Sequence, residues 1–585
     1  MQFLLTAINA KYIHTNPALY SLRAYAGKEL APFISLAEYT INHRVDEVLG
    51  DLYKRHPDVI GLSCYIWNFH FIRELITEIP KVLPDTDIWL GGPEVSFEAE
   101  EILKEYPHVK GIMTGEGEAT FKDLLSFYTE KENSQIDSPY HSLEEIPGLV
   151  LPGRVTAFRE PVNFEEIPFL YDRLDEFDNK IIYYETSRGC PFRCSYCLSS
   201  IDKGLRFRNR SRIKKELQFF LDHNVPQVKF IDRTFNCNHS HAMEIWKYLA
   251  DHDNGITNFH FEIAADLLRE DELALLGTLR PGLVQLEIGV QTTNPETLKA
   301  VNRMTDISKI ETAVSEIRSG ENIHIHLDLI VGLPLEGYES FGKSFDRVYA
   351  MRPHQLQLGF LKVLKGTEIW QRAKAGEIVY QENPPYEVLY TRWLSYGEIL
   401  KLKQIEQMVE LYFNSSQFLY TLPVLEKEFA SPFVLFEQLA EFYEKKGYFT
   451  NSPARNYRYQ ALLDFAKEKA PGKSGLFAEL LTFDYYLREN AKSRPPFSAD
   501  LSPFREEIWK FYQREEAQPE LLTAYSAYHA RQTMKMTHME AFHYPVWERF
   551  QAKEQTRQEE PYFILFDYAK RDALTGAAAV HRVNP

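Results

Sequence analysis

The stretch KIIYYETSRGCPFRCSYCLSS (180–200) decides how this chain is read. Residues 180–187 read as a β-strand, and three cysteines, Cys190, Cys194 and Cys197, follow on one loop, with three residues and then two between them. Three thiolates on a single loop can hold three irons of a cubane cluster and leave the fourth iron open to a substrate or cofactor. Zinc would want a fourth Cys or His at finger-like spacing, whereas the nearest downstream histidine is His223 and there is no second cysteine pair. Cys64 and Cys237 stand in separate regions and read as ordinary buried thiols.

Downstream of the cysteines, strand-like runs recur at 227–232, 258–264, 283–290, 323–332 and 355–363, separated by helical patterns such as SRIKKELQFFLDH (211–223). With 180–187 these make a series of βα units, the pattern of a parallel barrel or part of one, with functional residues at the carboxyl ends of its strands. Eight units are not visible, so a partial barrel over 180–369 is expected. Upstream, QFLLTAI (2–8), ISLAEYTI (34–41), VIGLSCYI (59–66), DIWLGG (87–92) and GIMTGEG (111–117) alternate with helical patterns. Short, continuous apolar strands of this kind build a parallel sheet covered on both faces, here residues 1–129, and ligands of such sheets bind beyond the strands' carboxyl ends. Residues 130–179 read as a linker with a small hairpin. Residues 370–585 read as a mainly α-helical domain, with long helices over 386–413 and 474–490, and two short strands around a Leu-Thr-Gly turn near the end.

Composition bounds the partners. The chain has 585 residues, 44% of them hydrophobic, and 66 Lys and Arg against 83 Asp and Glu give a net charge of -17. That balance disfavours a nucleic-acid backbone as the main partner. Five cysteines cannot form a disulfide framework, which points to a reducing compartment. The opening MQFLLTAINAKY lacks a basic n-region and a cleavage site, and no run approaches the ~18 uninterrupted apolar residues of a membrane span, so a soluble cytoplasmic protein is expected.

RGCPFRCSYC, with Tyr196 just before the third cysteine, resembles the hallmark of the radical S-adenosylmethionine superfamily. The resemblance implies a 4Fe-4S cluster on Cys190, Cys194 and Cys197 whose open iron chelates S-adenosylmethionine and reduces it to a 5'-deoxyadenosyl radical. Carried over by place, Tyr196 would lie against the adenine. Asp232 and Arg233 would occupy the methionine-binding turn, which departs here from the usual Gly-Gly-Glu. Glu287 and Gln291 would face the ribose and sulfonium end, and the backbone at Val331 and Gly332 the adenine. PDVIGLSCYIWN, WLGGPEVSFEAEEIL and GIMTGEGEATF further resemble the subfamily with an N-terminal Rossmann-like cobalamin-binding domain. This implies contacts to the cobalamin tail from Ser63, Cys64, Gly91, Gly92, Pro93 and Gly115. The loop after the first strand, Asn9-Ala10-Lys11-Tyr12-Ile13-His14, lacks the Asp-x-His-x-x-Gly that would supply an axial histidine, leaving His14 as the one displaced candidate.

The whole is expected to be an α/β chain that methylates an unactivated carbon of a small-molecule or peptide substrate, with an electron donor such as flavodoxin or ferredoxin. The alternatives are a non-methylating cobalamin-dependent rearrangement, cyclisation or oxidation, and an iron-sulfur and cobalamin binding protein without radical catalysis. A methylthiotransferase acting on transfer RNA would carry a second three-cysteine cluster in its first domain, where this chain has only Cys64.

Overall fold

The computed structural model describes residues 1–584 apart from 131–135, 137, 202–203, 492 and 549–555. The first sheet orders its strands β2-β1-β3-β4-β5-β6-β7. Of these, β1 (Phe3–Asn9), β2 (Ile34–Thr40), β3 (Val59–Ser63), β4 (Asp87–Gly91) and β5 (Val109–Met113) run parallel. Every residue of β1 is buried, as its unbroken apolar run requires of a strand covered on both faces. One apolar cluster packs each face, around Leu62, Ile72 and Leu90 on one side and Phe3, Trp89 and Phe121 on the other. Asn16 starts the first helix (Pro17–Ala26): its side chain accepts from Ala18 N, and Pro17 takes the position whose N–H would have no partner.

The hairpin expected inside the 130–179 linker belongs to this sheet. β6 (Leu149–Leu151) pairs antiparallel with β5, and β7 (Arg154–Val155) closes the edge, because LVL is apolar enough to bury and Gly153 turns the chain at a φ of 76°.

The second sheet holds β8 (Ile182–Tyr184), β11 (Gln227–Phe230), β12 (Asn258–Ile263), β13 (Val284–Gln291), β14 (His324–Val331) and β15 (Gln355–Phe360), all parallel and in sequence order. It is an open partial barrel of six strands. Between β8 and β11, β9 (Ser187–Arg188) pairs antiparallel with β10 (Arg206–Phe207) and closes the base of the cysteine loop.

The barrel and the helices behind it share one continuous core. Phe345 meets Phe433 at 5.6 Å between ring centroids, and a Cβ on Gly342 would sit 2.9 Å from that same ring. The helix expected over 386–413 is replaced at its start by a hairpin of β16 (Ile378–Tyr380) and β17 (Val388–Thr391). The helix itself begins at Tyr396, where Ser395 and Glu398 form a capping box, and passes into a π-helical turn at Val409–Asn414. At the end of the chain the two expected strands are β19 (Tyr562–Arg571) and β20 (Ala578–Val583), joined by a third, β18 (Thr537–Phe542). Among the described residues no helix is long and apolar enough to cross a membrane.

Candidate functional site

All three loop cysteines are free thiols, Cys194 buried and Cys190 and Cys197 half-buried. The loop is pinned from several sides: Ser195 N donates to Val301 O at 3.0 Å, Ile369 N donates to Ser195 O at 3.0 Å, and Asn302 Nδ2 donates to Arg193 O at 3.0 Å. Gly189, at a φ of 91°, passes so close to the Gly204 carbonyl that no side chain fits there. The buried Arg303 guanidinium donates to Cys194 Sγ at 3.7 Å, to Tyr196 Oη at 3.3 Å and to Gly289 O, which sets positive charge beside the sulfur. Burial pushes the Tyr196 phenol above its usual range.

Beside this loop a recess of about 590 Å³, partly open to solvent, is lined by the ends of the second to fifth barrel strands. Arg233 stands at its rim, exposed, its carbonyl accepting from Thr234 Oγ1 and its guanidinium without a hydrogen-bond partner among the described residues. Glu287 carries the densest contacts in it. Burial would raise that carboxyl, but His260 Nε2 at 3.0 Å and Lys229 Nζ at 3.1 Å hold it down at about 2. On the neighbouring strand Glu262 has no such partner, and burial together with the Glu287 charge pushes it up to about 7. Gln291 sits past a bulge in the β13–β14 pairing at a φ of 73°, and its side-chain oxygen is buried with no partner. Asp328 Oδ1 is likewise buried without a hydrogen bond, 3.0 Å from His326 Nε2. Unsatisfied buried acceptors are costly unless a ligand or water completes them, so these atoms mark the recess as a binding site.

Two of the expected contacts to this recess change. Asp232 is fully buried and taken up by Thr186 N at 3.0 Å, Thr186 Oγ1 at 2.6 Å and Ser187 Oγ at 2.5 Å, so it ties the second strand to the cysteine loop instead of facing a ligand. Val331 and Gly332 lie outside the lining: Val331 O accepts from Leu361 N at 2.9 Å, and the space where a Cβ on Gly332 would stand meets Val388 at 2.9 Å. The hairpin that supplies Val388 could not be anticipated from a stretch read as helix.

The carboxyl edge of the first sheet is built differently. Gly92, at a φ of 113°, lets the chain pass so close to the Cys64 backbone that a Cβ would be 2.5 Å from Cys64 O, whereas Gly115, at 74°, borders open space. Cys64 N donates to Gly91 O at 2.7 Å, and Pro93 opens a short helix (Pro93–Ser96). Ser63 Oγ accepts from Asn16 Nδ2 at 2.9 Å. The Cys64 thiol is fully buried and donates to Leu62 O, so only its backbone faces the edge, a second correction to the expected contact set. Sequence reasoning missed Trp67, whose ring stacks on Tyr65 at 4.3 Å between centroids and is 45% exposed. A Tyr and a Trp two positions apart just past the third strand were the available signal. His14 is engaged elsewhere: its Nδ1 lies 2.5 Å from the Tyr183 hydroxyl, and Ile181 N donates to Ile13 O at 2.9 Å, which docks the loop after β1 onto the barrel. Burial, then Lys11 and Lys229, keep the His14 imidazole below its usual range.

The loop after the sixth barrel strand reaches back to the sheet. The Tyr386 hydroxyl donates to Glu94 and Lys365 pairs with Glu98 at 2.5 Å, both carboxylates lying just past Gly92-Pro93. The Gly-lined edge, the cysteine loop and the recess therefore belong to one interface.

Reduced soft-donor thiols at the mouth of a partial barrel, orphaned acceptors beside them and a backbone cradle on a facing parallel sheet define a protein built for a cluster, a chelated polar cofactor and a large flat one. The residues present fit those groups. Comparison with known proteins agrees: residues 4–125 match the B12 binding domain, residues 184–348 the Radical SAM superfamily, and residues 376–566 a family described as a protein of unknown function (DUF4080). The chain thus carries a B12-binding domain followed by a radical SAM domain. It is 28% identical over 317 residues to the 2-(S-pantetheinyl)-carbapenam-3-carboxylate methyltransferase of Streptantibioticus cattleyicolor, which covers 49% of this chain and 44% of that protein. The chain thus spans less than half the length of that curated relative. Two solved structures share the fold. The cobalamin-dependent S-adenosylmethionine radical enzyme OxsB, with aqua-cobalamin and S-adenosylmethionine bound, superposes with a TM-score of 0.57 at 18% identity, over 82% of this chain and 78% of its own. The radical S-adenosylmethionine methyltransferase TsrM of Kitasatospora setae, with cobalamin and a 4Fe-4S cluster bound, does so with a TM-score of 0.53 at 17% identity, over 66% of this chain and 79% of its own.

Proposed function

We propose that this chain is a cobalamin-dependent radical methyltransferase acting on an unactivated carbon of a small-molecule or peptide substrate. The observation that carries the reading is the set of free thiols of Cys190, Cys194 and Cys197 on one pinned loop, directly beside a recess with orphaned acceptors. When bound, a 4Fe-4S cluster supplies the electron that cleaves S-adenosylmethionine, and cobalamin supplies a methyl carrier. The chain's own work is to hold, orient and exclude water. Arg233, free at the rim, would take the methionine carboxylate. Glu287, kept ionised by Lys229 and His260, would accept from the ribose hydroxyls, with Gln291 beside it. Tyr196, fixed by Arg303, would wall the adenine. Ser63, the backbone of Cys64 and Gly91, Gly92, Pro93 and Gly115 would border the cobalamin tail, and the Tyr65–Trp67 stack would offer apolar surface to the corrin. With His14 taken by Tyr183, no nitrogen from the first loop would reach the cobalt.

Methyl-labelled S-adenosylmethionine, a strong reductant and cell extract test the reading. Label in a small molecule or peptide, with both 5'-deoxyadenosine and S-adenosylhomocysteine formed, is the expected outcome. Deoxyadenosine with an altered but unlabelled substrate would replace it with a rearrangement, cyclisation or oxidation. No deoxyadenosine from a fully loaded protein would leave a binding protein without radical catalysis. Flavodoxin or ferredoxin, in a reducing cytoplasm, is the electron donor this reading calls for.

A further inference from the structure

The loop that carries Cys190, Cys194 and Cys197 is closed at its base by the short β9–β10 ladder, in which Arg188 stands opposite Arg206 and Ser187 opposite Phe207. Two arginines directly opposite on one face repel, and a two-residue ladder offers few hydrogen bonds of its own against that. The opposing charge comes from the other domain. Arg188 NH2 donates to Glu118 Oε1 at 2.6 Å, and its NH1 lies 3.7 Å from Glu116 Oε2. Arg206 NH1 donates to Glu116 Oε2 at 3.1 Å, and its NH2 forms a second bond to the same carboxylate. On the barrel side Arg188 Nε donates to Glu185 at 3.0 Å. Only 16% of the Arg188 side chain and 6% of the Glu118 side chain are exposed, so solvent screens this contact far less than a surface pair. Burial would raise the Glu118 carboxyl, and Arg188 with Ser21 holds it down.

Glu116 and Glu118 follow directly on Gly115, the left-handed glycine that borders open space at the carboxyl end of β5. The turn that leaves room at the sheet edge is therefore the turn that neutralises the two arginines at the base of the cysteine loop.

We propose that Glu116 and Glu118 form a latch on the cysteine loop, acting through the positioning residues Arg188 and Arg206, so that occupancy of the sheet edge and retention of the cluster are linked equilibria. The latch stands on geometry alone; the linkage rests on the cobalamin reading of residues 1–129. Binding free energies coupled in this way are reciprocal, so whatever stabilises the ordered Gly115 turn also lowers the population of the open loop from which a chelator takes iron.

The test uses full-length, anaerobically reconstituted protein and follows the rate at which a chelator removes iron, with the thermal midpoint monitored in parallel. Without cobalamin, E116Q/E118Q, which keeps side-chain shape and removes the charges, should lose iron about tenfold faster than wild type with little change in midpoint. R188Q should do the same and R188K should recover part of the loss. R188Q combined with E118Q should be no faster than the worse single variant, because both act through one contact. Iron release within about twofold of wild type in E116Q/E118Q, or fully additive effects of R188Q and E118Q, would overturn the latch. Saturating hydroxocobalamin should then slow iron release in wild type and not in E116Q/E118Q. Equal slowing in both overturns the linkage. Absence of any bound corrinoid in wild type overturns the cobalamin reading instead, and the cobalamin-free rates still decide the latch.

Discussion

The two facing surfaces of the site use opposite chemistry. The sheet edge is made of small residues and backbone: Gly92 packs against the Cys64 backbone, Gly115 borders open space, and Ser63 and Cys64 turn their side chains inward or to a neighbour. The barrel mouth is crowded with charge, with Lys229, His260, Glu287, His326 and Asp328 packed along adjacent strands. On the proposed reading, one surface would recognise by shape and the other by paired charge and hydrogen bonds. Adding atoms should therefore damage the first, and removing a functional group should damage the second.

The largest effect falls where the chemistry has no substitute. Replacing Cys190, Cys194 and Cys197 together with Ala should abolish iron and acid-labile sulfide binding, while Cys64→Ala and Cys237→Ala keep a full cluster on chemical analysis. A stoichiometric cluster in the triple variant would remove the difference between these thiols and the structural ones. At the sheet edge, Gly92→Ala should lower stability by about 1–3 kcal/mol and hydroxocobalamin affinity with it, since a Cβ at a φ of 113° would meet the Cys64 carbonyl at 2.5 Å. Equilibrium unfolding and titration measure both, and a neutral Gly92→Ala would mean that space at this edge is not what matters.

Across the interface, Glu287→Ala should weaken S-adenosylmethionine binding by about 1–3 kcal/mol, read by calorimetry, if the carboxylate accepts from the ribose. A smaller effect is expected from its neighbour. The Glu262 carboxyl, pushed up to about 7 in the folded state against 4.5 for the ordinary group, binds its proton more tightly when folded. Its contribution is present below pH 4.5 and is lost as pH rises through about 7. Glu262→Gln, which stays neutral, should flatten that part of the profile of urea midpoint against pH; an unchanged slope would show that Glu262 is better solvated than its position implies. The smallest effect is assigned to His14→Ala: the cobalt spectrum should not change, because the imidazole is held by Tyr183. A shifted spectrum would make the sheet edge a site of coordination as well as of shape.

Local chemistry was legible in the residues alone. The strand periods, the cysteine spacing, the Gly-rich strand ends and the absence of a histidine at the third position of the first loop can be read one segment at a time, because each depends on neighbours a few positions away. The expected barrel strands pair in sequence order, each βα unit placing its strand beside the one before it. Failures came where a residue's partner lies far along the chain. Asp232 has the place and charge of a ligand-facing residue, yet Thr186 and Ser187, on the preceding strand, claim it. VLYT reads as the start of a helix until β16 offers it a ladder, and the Ser395 capping box then sets where the helix begins. Glu116 and Glu118 read as turn residues, and their role at Arg188 and Arg206 exists only once two domains meet. Side-chain direction and long-range charge pairing follow from how the sheets pack, so periodicity and spacing could name the chemistry of this chain but not which groups would be left free to perform it.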